Sequence, residues 1–328
     1  MKNILKRIAG RGVRLFGVEQ TRVRQIVDLR GAGDDPLDAY YMALLWSPLL
    51  EHSPLVNARL ADCRIFESFG LPVDASEDNP LTAAALLSAR KGPGSDAEII
   101  ALLRRYYQNV RPANALDVMG LTASDAPGLC SARPIADPFP WEASDPQLRE
   151  RYVGGFLDKD AREFGAQAIP QGHTYFGPVS EEKIRMEALR ITSLCRSIER
   201  DGFVAAANGD IDIWAIALRN EAGEYRWILQ GGQHRAAVAF AMGIRDITVA
   251  VRYVVRREDA AHWQNVRGGM FSQNGALKLF DRIFHGAATA CVAGWQGRQA
   301  APNSARSKGA IPNTSRPGSV QENVNESS

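Results

Sequence analysis

The stretch Gln230-Gly231-Gly232-Gln233-His234-Arg235 decides the fold prediction, because it joins a strand pattern to a helix pattern. The apolar run over residues 225–229 predicts a strand, and the alanine-rich run over residues 234–242 predicts a short helix closed by Gly243. The first N–H groups of a helix have no partner within it, and they attract anions together with the helix dipole. The sequence therefore predicts a phosphate-binding turn between a strand and a helix.

The side chains of this turn suit an anion. Gly231 and Gly232 let the backbone approach a ligand closely, and Arg235 can direct two hydrogen bonds onto phosphate oxygens. His234 can donate from a ring nitrogen. A tight turn with Arg235 in a surface ion pair and His234 in the core is equally compatible with these residues, so both interpretations stay open.

Around this turn the chain predicts an α/β (α+β) domain with a small mixed sheet. Ser180 is a candidate N-cap for a helix that runs to about Arg200 and ends at Gly202. Strands are expected over residues 211–218, 225–229 and 247–254, and later helices near residues 258–266 and 275–284. The helix from Ser180 should bury one apolar stripe: Ile184, Ala188, Ile191, Cys195 and Ile198.

Four parts are expected along the chain: a basic arm over residues 1–30, a mostly helical region over 31–145 that ends in a Pro-rich linker, the α/β domain over 146–286, and a disordered tail over 287–328. Within the helical region, residues 96–109 predict a helix with Ser95 as N-cap. A further helix is expected from about residue 145 to 164. The arm is either a solvated segment or an edge helix, or it contacts an anionic membrane surface through residues 1–17.

Composition excludes several function classes. Hydrophobic residues make up 45% of the 328 and charged residues 23%, with a formal net charge of +2, so the whole chain is not a polycation that would bind nucleic acid. The four cysteines form no C-x-x-C pair, and the histidines have no metal-binding spacing, so no structural metal site is expected. No apolar run is long enough to span a membrane, and a cytoplasmic protein is expected.

The pattern of Ser197-Ile198, then Gly202, then two strands and the run GGQHRAAVAFAMG resembles the ParB/sulfiredoxin superfamily over about residues 175–255. In sulfiredoxin the equivalent turn is Gly-Gly-Cys-His-Arg and binds the phosphates of an adenine nucleotide. Here Gln233 replaces the catalytic cysteine, so the thiol chemistry is not implied. The resemblance implies a nucleotide-binding domain in which His234 and Arg235 hold the phosphates.

The same resemblance adds residues on the preceding helix. Its basic residue and two hydroxyl residues fall on Arg190, Ser193 and Ser197, whose spacing places them on one helix face. Ordinary solvent-exposed hydroxyls are the alternative for the two serines. With Gly231, Gly232, Gln233, His234 and Arg235 they make up the predicted nucleotide-binding set.

Small-molecule kinases with a ParB-like fold suggest a function. Such enzymes need a carboxylate to accept the acceptor's proton and Mg²⁺ beside the phosphates. Glu187 lies three residues before Arg190 and is the predicted base, with His234 as a second catalytic residue; an ion pair of Glu187 with Arg190 or Arg185 is the alternative. We therefore expect ATP or CTP as cofactor and an unidentified small molecule as acceptor.

Two other function classes remain. A nucleotide-dependent regulatory module would bind the nucleotide without turnover. DNA binding or nuclease action is less favoured, because Ala236 and Ala237 follow Arg235 where ParB proteins have a further Arg, and few residues remain for a helix-turn-helix module. The segment Trp263–Gly269 either closes over a base or sugar or is a helix end with a glycine cap.

Overall fold

Ten strands and seven α-helices lie within the parts of the chain that the computed structural model describes. These parts are residues 50–129 except 77 and 93, 138–142, 172–203 and 213–297, together with Leu37 and the segments 8–9, 13–15, 18–20 and 23–30. The strands are β1 Ile8–Ala9, β2 Val13–Leu15, β3 Val18–Gln20, β4 Val23–Asp28, β5 Leu50–Arg59, β6 Cys63–Ile65, β7 Leu71–Pro72, β8 Trp214–Arg219, β9 Tyr225–Leu229 and β10 Asp246–Arg256. The helices are α1 Pro80–Lys91, α2 Asp96–Asn109, α3 Ala115–Met119, α4 Glu181–Asp201, α5 Gln233–Ala241, α6 Gln264–Arg267 and α7 Gln273–His285.

One mixed sheet organises the fold, in the order β1-β4-β5-β10-β8-β9-β6-β7, and β2 and β3 form a separate pair. β8 and β9 are an antiparallel hairpin, while β10 runs parallel to β8 and antiparallel to β5. β6 joins the other side of the hairpin, parallel to β9. The chain is therefore mixed α/β, as predicted, but its sheet is larger than expected.

Two hydrophobic cores cover the two faces of this sheet. Along β8 successive side chains point to opposite faces, so Ala215 and Ala217 belong to one core while Ile216 and Leu218 belong to the other. The first core packs the sheet against α1, α2, α4 and α5, and the second packs it mainly against α7. The result is three layers, with the sheet in the middle.

All but one of the predicted local elements that lie within described residues 172–203 and 213–297 are confirmed. α4 begins after Ser180, whose hydroxyl accepts the Lys183 N–H, and ends at Gly202 with φ +74°. All five residues of its predicted apolar stripe are buried. The predicted helix over residues 96–109 is also present, although the Ser95 side chain makes no capping hydrogen bond. The segment predicted as a helix near residues 258–266 is instead a 3₁₀ turn, Arg257–His262, followed by the short α6.

The expectation of a mostly helical region before residue 145 is wrong for residues 50–72, which form β5, β6 and β7. β5 carries Glu51, His52 and Pro54, so its sequence lacks an apolar alternation that would have predicted a strand. β5 pairs with β10 and β6 pairs with β9, so the described parts before and after the predicted boundary share one sheet. The boundary itself and the predicted helix over residues 145–164 lie outside the described residues.

Both predicted ends of the chain also need correction. The described segments between residues 8 and 28 are strands, not an edge helix, in keeping with the glycines at 10, 12 and 17 and the valines around them. The tail expected to be disordered from Ala287 is ordered as far as residue 297. Trp295 is fully buried, and its indole Nε1 donates to the Asp78 carbonyl over 3.1 Å. Burying this one large side chain holds the segment in place. Residues 298–328 lie outside the described residues.

Candidate functional site

The predicted strand-to-helix turn is present. β9 ends at Leu229, Gly232 takes the left-handed conformation with φ +70°, and α5 begins at Gln233. A side chain other than glycine is strained in this conformation, which explains the glycine at the N-cap. No side chain caps the helix. The N-terminus of α5 therefore offers backbone donors and the positive end of the helix dipole.

A group of charged side chains lies beside this N-terminus, and we call Lys183, Glu187, Arg190 and His234 the basic cluster. The Glu187 carboxylate is at its centre. Arg190 Nη1 lies 3.1 and 3.2 Å from its two oxygens and Lys183 Nζ lies 3.2 Å from Oε1, while His234 Nε2 is in close contact with Oε2. Three basic side chains thus meet one carboxylate at the start of α5.

The positions of these residues follow from two helices. On α4, residues 183, 187 and 190 are spaced by four and three, so their side chains share one face. That face packs against α5, where His234 is the second residue. Lys183 and Glu187 are both fully buried, whereas Arg190 and His234 keep part of their side chains exposed.

The environment of Glu187 determines its charge. Burial alone would raise the pKa of its carboxyl, but the opposite charge and hydrogen bond of His234, with smaller effects from Arg190 and Lys183, outweigh burial and hold the pKa well below its ordinary value. The group is therefore a buried carboxylate at neutral pH. A carboxylate that is fully buried and strongly stabilised as an anion is a poor proton acceptor, so the geometry favours the ion-pair alternative for Glu187 over the predicted base.

The remaining predicted phosphate ligands are arranged more loosely. Ser193 is exposed on α4, and the Ser197 hydroxyl donates to Asp201 Oδ2 over 3.5 Å. The guanidinium of Arg235 lies over the Phe203 ring, 4.8 Å from its centroid. Arg190 and Arg235 are thus half-buried cations near the start of α5, whereas the contact of Ser197 matches an ordinary surface hydroxyl.

The side chain of Gln233 points inward, although it was predicted as a ligand contact. Its Nε2 donates to the Leu229 carbonyl over 2.9 Å and to the Tyr175 hydroxyl over 3.1 Å. Its Oε1 accepts from the Phe66 N–H over 3.2 Å. An amide both donates and accepts, so one side chain satisfies all three partners. Gln233 therefore ties the start of α5 to two distant segments.

One of those segments is a strained turn over residues 66–70. Phe66 and Glu67 have φ values of +59° and +42°, a conformation that is unfavourable for side chains other than glycine. Arg282 holds the turn from α7: its guanidinium donates to the Phe69 carbonyl over 2.6 Å and also to the Ser68 carbonyl. Burial lowers the pKa of Arg282 to about 10, so it remains a cation at neutral pH.

The other segment is the stretch 173–177, which α2 holds in place. The Tyr106 hydroxyl donates to the Tyr175 carbonyl over 2.6 Å, and the Gly177 N–H donates to the Val110 carbonyl over 2.9 Å. A Cβ at Gly177 would lie 1.8 Å from the Tyr107 carbonyl oxygen, so only glycine fits there. This docking brings the Tyr175 hydroxyl to Gln233 and to Glu67 Oε1, from which it lies 3.5 Å away.

Sequence reasoning missed Lys183, Phe66, Glu67 and Tyr175. Only Lys183 left a local signal, since it precedes Glu187 by four residues on a predicted helix. The predicted contact of Trp263–Gly269 with a base or sugar has no support in the geometry. Trp263 is buried in the second core, and Asn265 Nδ2 donates to the Phe139 carbonyl over 2.7 Å. α6 ends at Gly268, which matches the alternative prediction of a helix end with a glycine cap.

The described part of the chain holds neither a candidate metal site nor a helix that could span a membrane. Within it, no group of three or more His, Cys, Asp and Glu side chains could hold a metal ion. None of its helices is both long and apolar enough to cross a bilayer.

Comparisons of the chain with family models, with curated proteins and with solved structures found no match. The resemblance to the ParB/sulfiredoxin superfamily therefore stays a prediction that depends on the turn, its flanking elements and α4.

Proposed function

We propose that this protein binds the phosphate groups of a nucleotide at the N-terminus of α5. The observation that carries the proposal is the basic cluster: Lys183, Arg190 and His234 meet at Glu187 beside a helix start that no side chain caps. Helix N–H groups, the helix dipole and basic side chains all favour a multiply charged anion at the same place.

The individual residues have different expected tasks. Gly231, Gly232 and the first N–H groups of α5 form the cradle, and Arg190 and Arg235 supply guanidinium groups beside it. His234 donates from its ring, which the buried Glu187 orients. Ser193 and Ser197 lie further along α4 than Arg190, where a longer phosphate chain or a ribose would extend. ATP or CTP, with Mg²⁺ bound through the phosphates, remains the expected ligand.

Calorimetric titration of the full chain with ATP, CTP and ADP, with and without Mg²⁺, tests the proposal. Arg235→Ala should weaken nucleotide binding by about tenfold or more, because a hydrogen bond between charged groups contributes roughly 1.5–3 kcal/mol. Arg196→Ala, which removes an exposed arginine from α4, is the matched control and should bind like the wild type. If the wild type binds none of the three nucleotides, the proposal fails.

A second candidate function is phosphoryl transfer from the nucleotide to a small molecule. The pairing of His234 with Glu187 favours it, since a buried carboxylate that orients an imidazole is a recurrent arrangement in catalysis. In this scheme Glu187 is a positioning residue and His234 contacts the phosphoryl group.

Release of nucleoside diphosphate in the presence of an acceptor would support transfer. Binding without turnover under any acceptor pool would favour the regulatory module instead, and affinity for DNA that falls steeply with salt would favour a DNA-associated role.

A further inference from the structure

The turn at Phe66 and Glu67 stores strain next to the phosphate-binding turn. Phe66 and Glu67 are consecutive residues with positive φ, a backbone conformation that is unfavourable for residues with side chains. Such conformations persist only where the surrounding structure fixes them, and they cluster at functional sites. The strain therefore marks this turn as a candidate part of a functional site.

Three independent constraints fix this turn. Arg282 binds the carbonyls of Ser68 and Phe69, and Gln233 Oε1 accepts the Phe66 N–H. At the end of the turn a Cβ on Gly70 would lie 2.9 Å from Ile283 Cγ1, so α7 packs directly against the backbone. The position of the Glu67 backbone is thus set by α5 and α7 together.

The Glu67 carboxylate is one hydroxyl group away from the start of α5. The Tyr175 hydroxyl lies 3.5 Å from Glu67 Oε1 and accepts a hydrogen bond from Gln233 Nε2 over 3.1 Å. Gln233 is the first residue of α5 and directly precedes His234. The strained turn is therefore linked, through Gln233 and Tyr175, to the helix start that carries His234 of the basic cluster.

Exposure distinguishes the two carboxylates beside this helix start. Glu187 is fully buried, whereas Glu67 is half-buried and in contact with solvent. A general base must come within hydrogen-bond distance of the substrate proton, either directly or through one water. Of these two groups, only Glu67 can be reached by a substrate that enters from solvent.

We propose that Glu67 is the proton acceptor for phosphoryl transfer from a nucleoside triphosphate to a hydroxyl of a small molecule. The acceptor oxygen attacks the γ-phosphorus and forms the new O–P bond. The bond from phosphorus to the β–γ bridging oxygen breaks, and its electron pair leaves with the nucleoside diphosphate. The hydroxyl proton goes to the Glu67 carboxylate, which Tyr175 positions. This inference rests on the proposed nucleotide site.

The test measures nucleotide binding and turnover separately on the full chain. Mg²⁺-ATP is the donor, and water, glycerol and L-serine are the hydroxyl probes. Glu67→Gln should lower kcat by about 100-fold or more, because a positioned base contributes roughly 10²–10⁴-fold, while the Kd for ATP stays within about twofold of the wild type. Glu182→Gln removes an exposed carboxylate from the first turn of α4 and should change neither quantity. Glu67→Asp should recover part of the lost rate.

The outcomes separate this inference from the proposed function. If the wild type binds no nucleotide, the nucleotide site fails and the inference fails with it. If ATP binds but none of the three probes supports release of ADP, or if Glu67→Gln turns over like the wild type, the role of Glu67 is overturned and the binding site stands. Loss of both binding and turnover in Glu67→Gln would also overturn the role, since it would show a structural rather than a chemical contribution.

Discussion

The Oε1 atom of Gln233 accepts a hydrogen bond from the Phe66 N–H over 3.2 Å, and these residues lie 167 positions apart in the chain. The contact joins the start of α5 to the strained turn that follows β6. Because the Gln233 amide also donates to Leu229 and Tyr175, it connects the three segments around the candidate site. Changing any of these segments should therefore affect the other two.

Gln233→Ala should lower the free energy of unfolding by about 1–3 kcal/mol, since it leaves the buried Phe66 N–H without its acceptor. Urea denaturation followed by circular dichroism measures the change. Gln264→Ala, at an exposed position in the first turn of α6, is the matched control and should change stability by less than about 0.5 kcal/mol. Equal effects of the two variants would contradict the structural role of Gln233.

The two ends of the buried Lys183–Glu187 pair should respond differently to mutation. Glu187→Gln removes the carboxylate that Lys183, Arg190 and His234 all contact, and it should cost about 3–5 kcal/mol of stability. Lys183→Met leaves Glu187 with two basic partners and should cost clearly less than this.

An exposed pair on the same helix provides the control for this comparison. Arg185 lies 3.9 Å from Glu181, and Arg185→Met should change stability by about 1 kcal/mol or less. Chemical denaturation of the three variants gives the ranking. A Lys183→Met variant that is destabilised more than Glu187→Gln would show that Glu187 is not the centre of the cluster.

The contribution of Glu187 to the free energy of unfolding should be lost in acid. Its pKa in the folded chain lies below the unfolded value of about 4.3, so the unfolded chain takes up a proton that the folded chain does not. The stabilisation is therefore complete above about pH 5 and is lost progressively as the pH falls. The difference in unfolding free energy between the wild type and Glu187→Gln should shrink as the pH is lowered from about 6 to about 3. A constant difference for Glu187→Gln over this pH range would contradict the depressed pKa.

Relief of strain should make Glu67→Gly more stable than the wild type, although it removes the proposed base. Glycine takes the φ of +42° without the cost that a side chain brings, which predicts a gain of up to about 1 kcal/mol. Thermal and urea unfolding measure it. Glu182→Gly places glycine in the first turn of α4, where φ is helical, and should lose up to about 1 kcal/mol. If both variants lose stability alike, the turn is not strained in solution.

Trp295 should contribute strongly to stability, although it lies in a segment whose composition predicted disorder. It is fully buried, and its ring lies 5.2 Å from that of Tyr106. Trp295→Ala should cost about 3–5 kcal/mol, and Trp295→Phe, which keeps an aromatic ring but loses the hydrogen bond to Asp78, should cost less. If Trp295→Ala is as stable as the wild type, the segment that carries Trp295 does not belong to the core.

The sequence by itself determined the elements whose signals are local. Ser180 and Gly202 mark the ends of α4, and the glycines before His234 mark the start of α5. Such signals arise from hydrogen bonds and backbone angles within a few residues, so they can be read along the chain. The strand-to-helix turn at Gly232 and the face of α4 that carries Arg190 could be predicted for this reason.

Only the tertiary structure decided how these elements meet. β5 has no alternating pattern, yet it pairs with β10, and Glu187 was predicted as a base but lies buried among basic side chains. The strained turn at Glu67 reaches the site through Gln233 and Tyr175. These contacts join residues that are far apart in the chain, and they produce no periodic pattern in the sequence. Their outcome depends on burial and on which charges the packed helices bring together, and both quantities exist only once the layers have assembled.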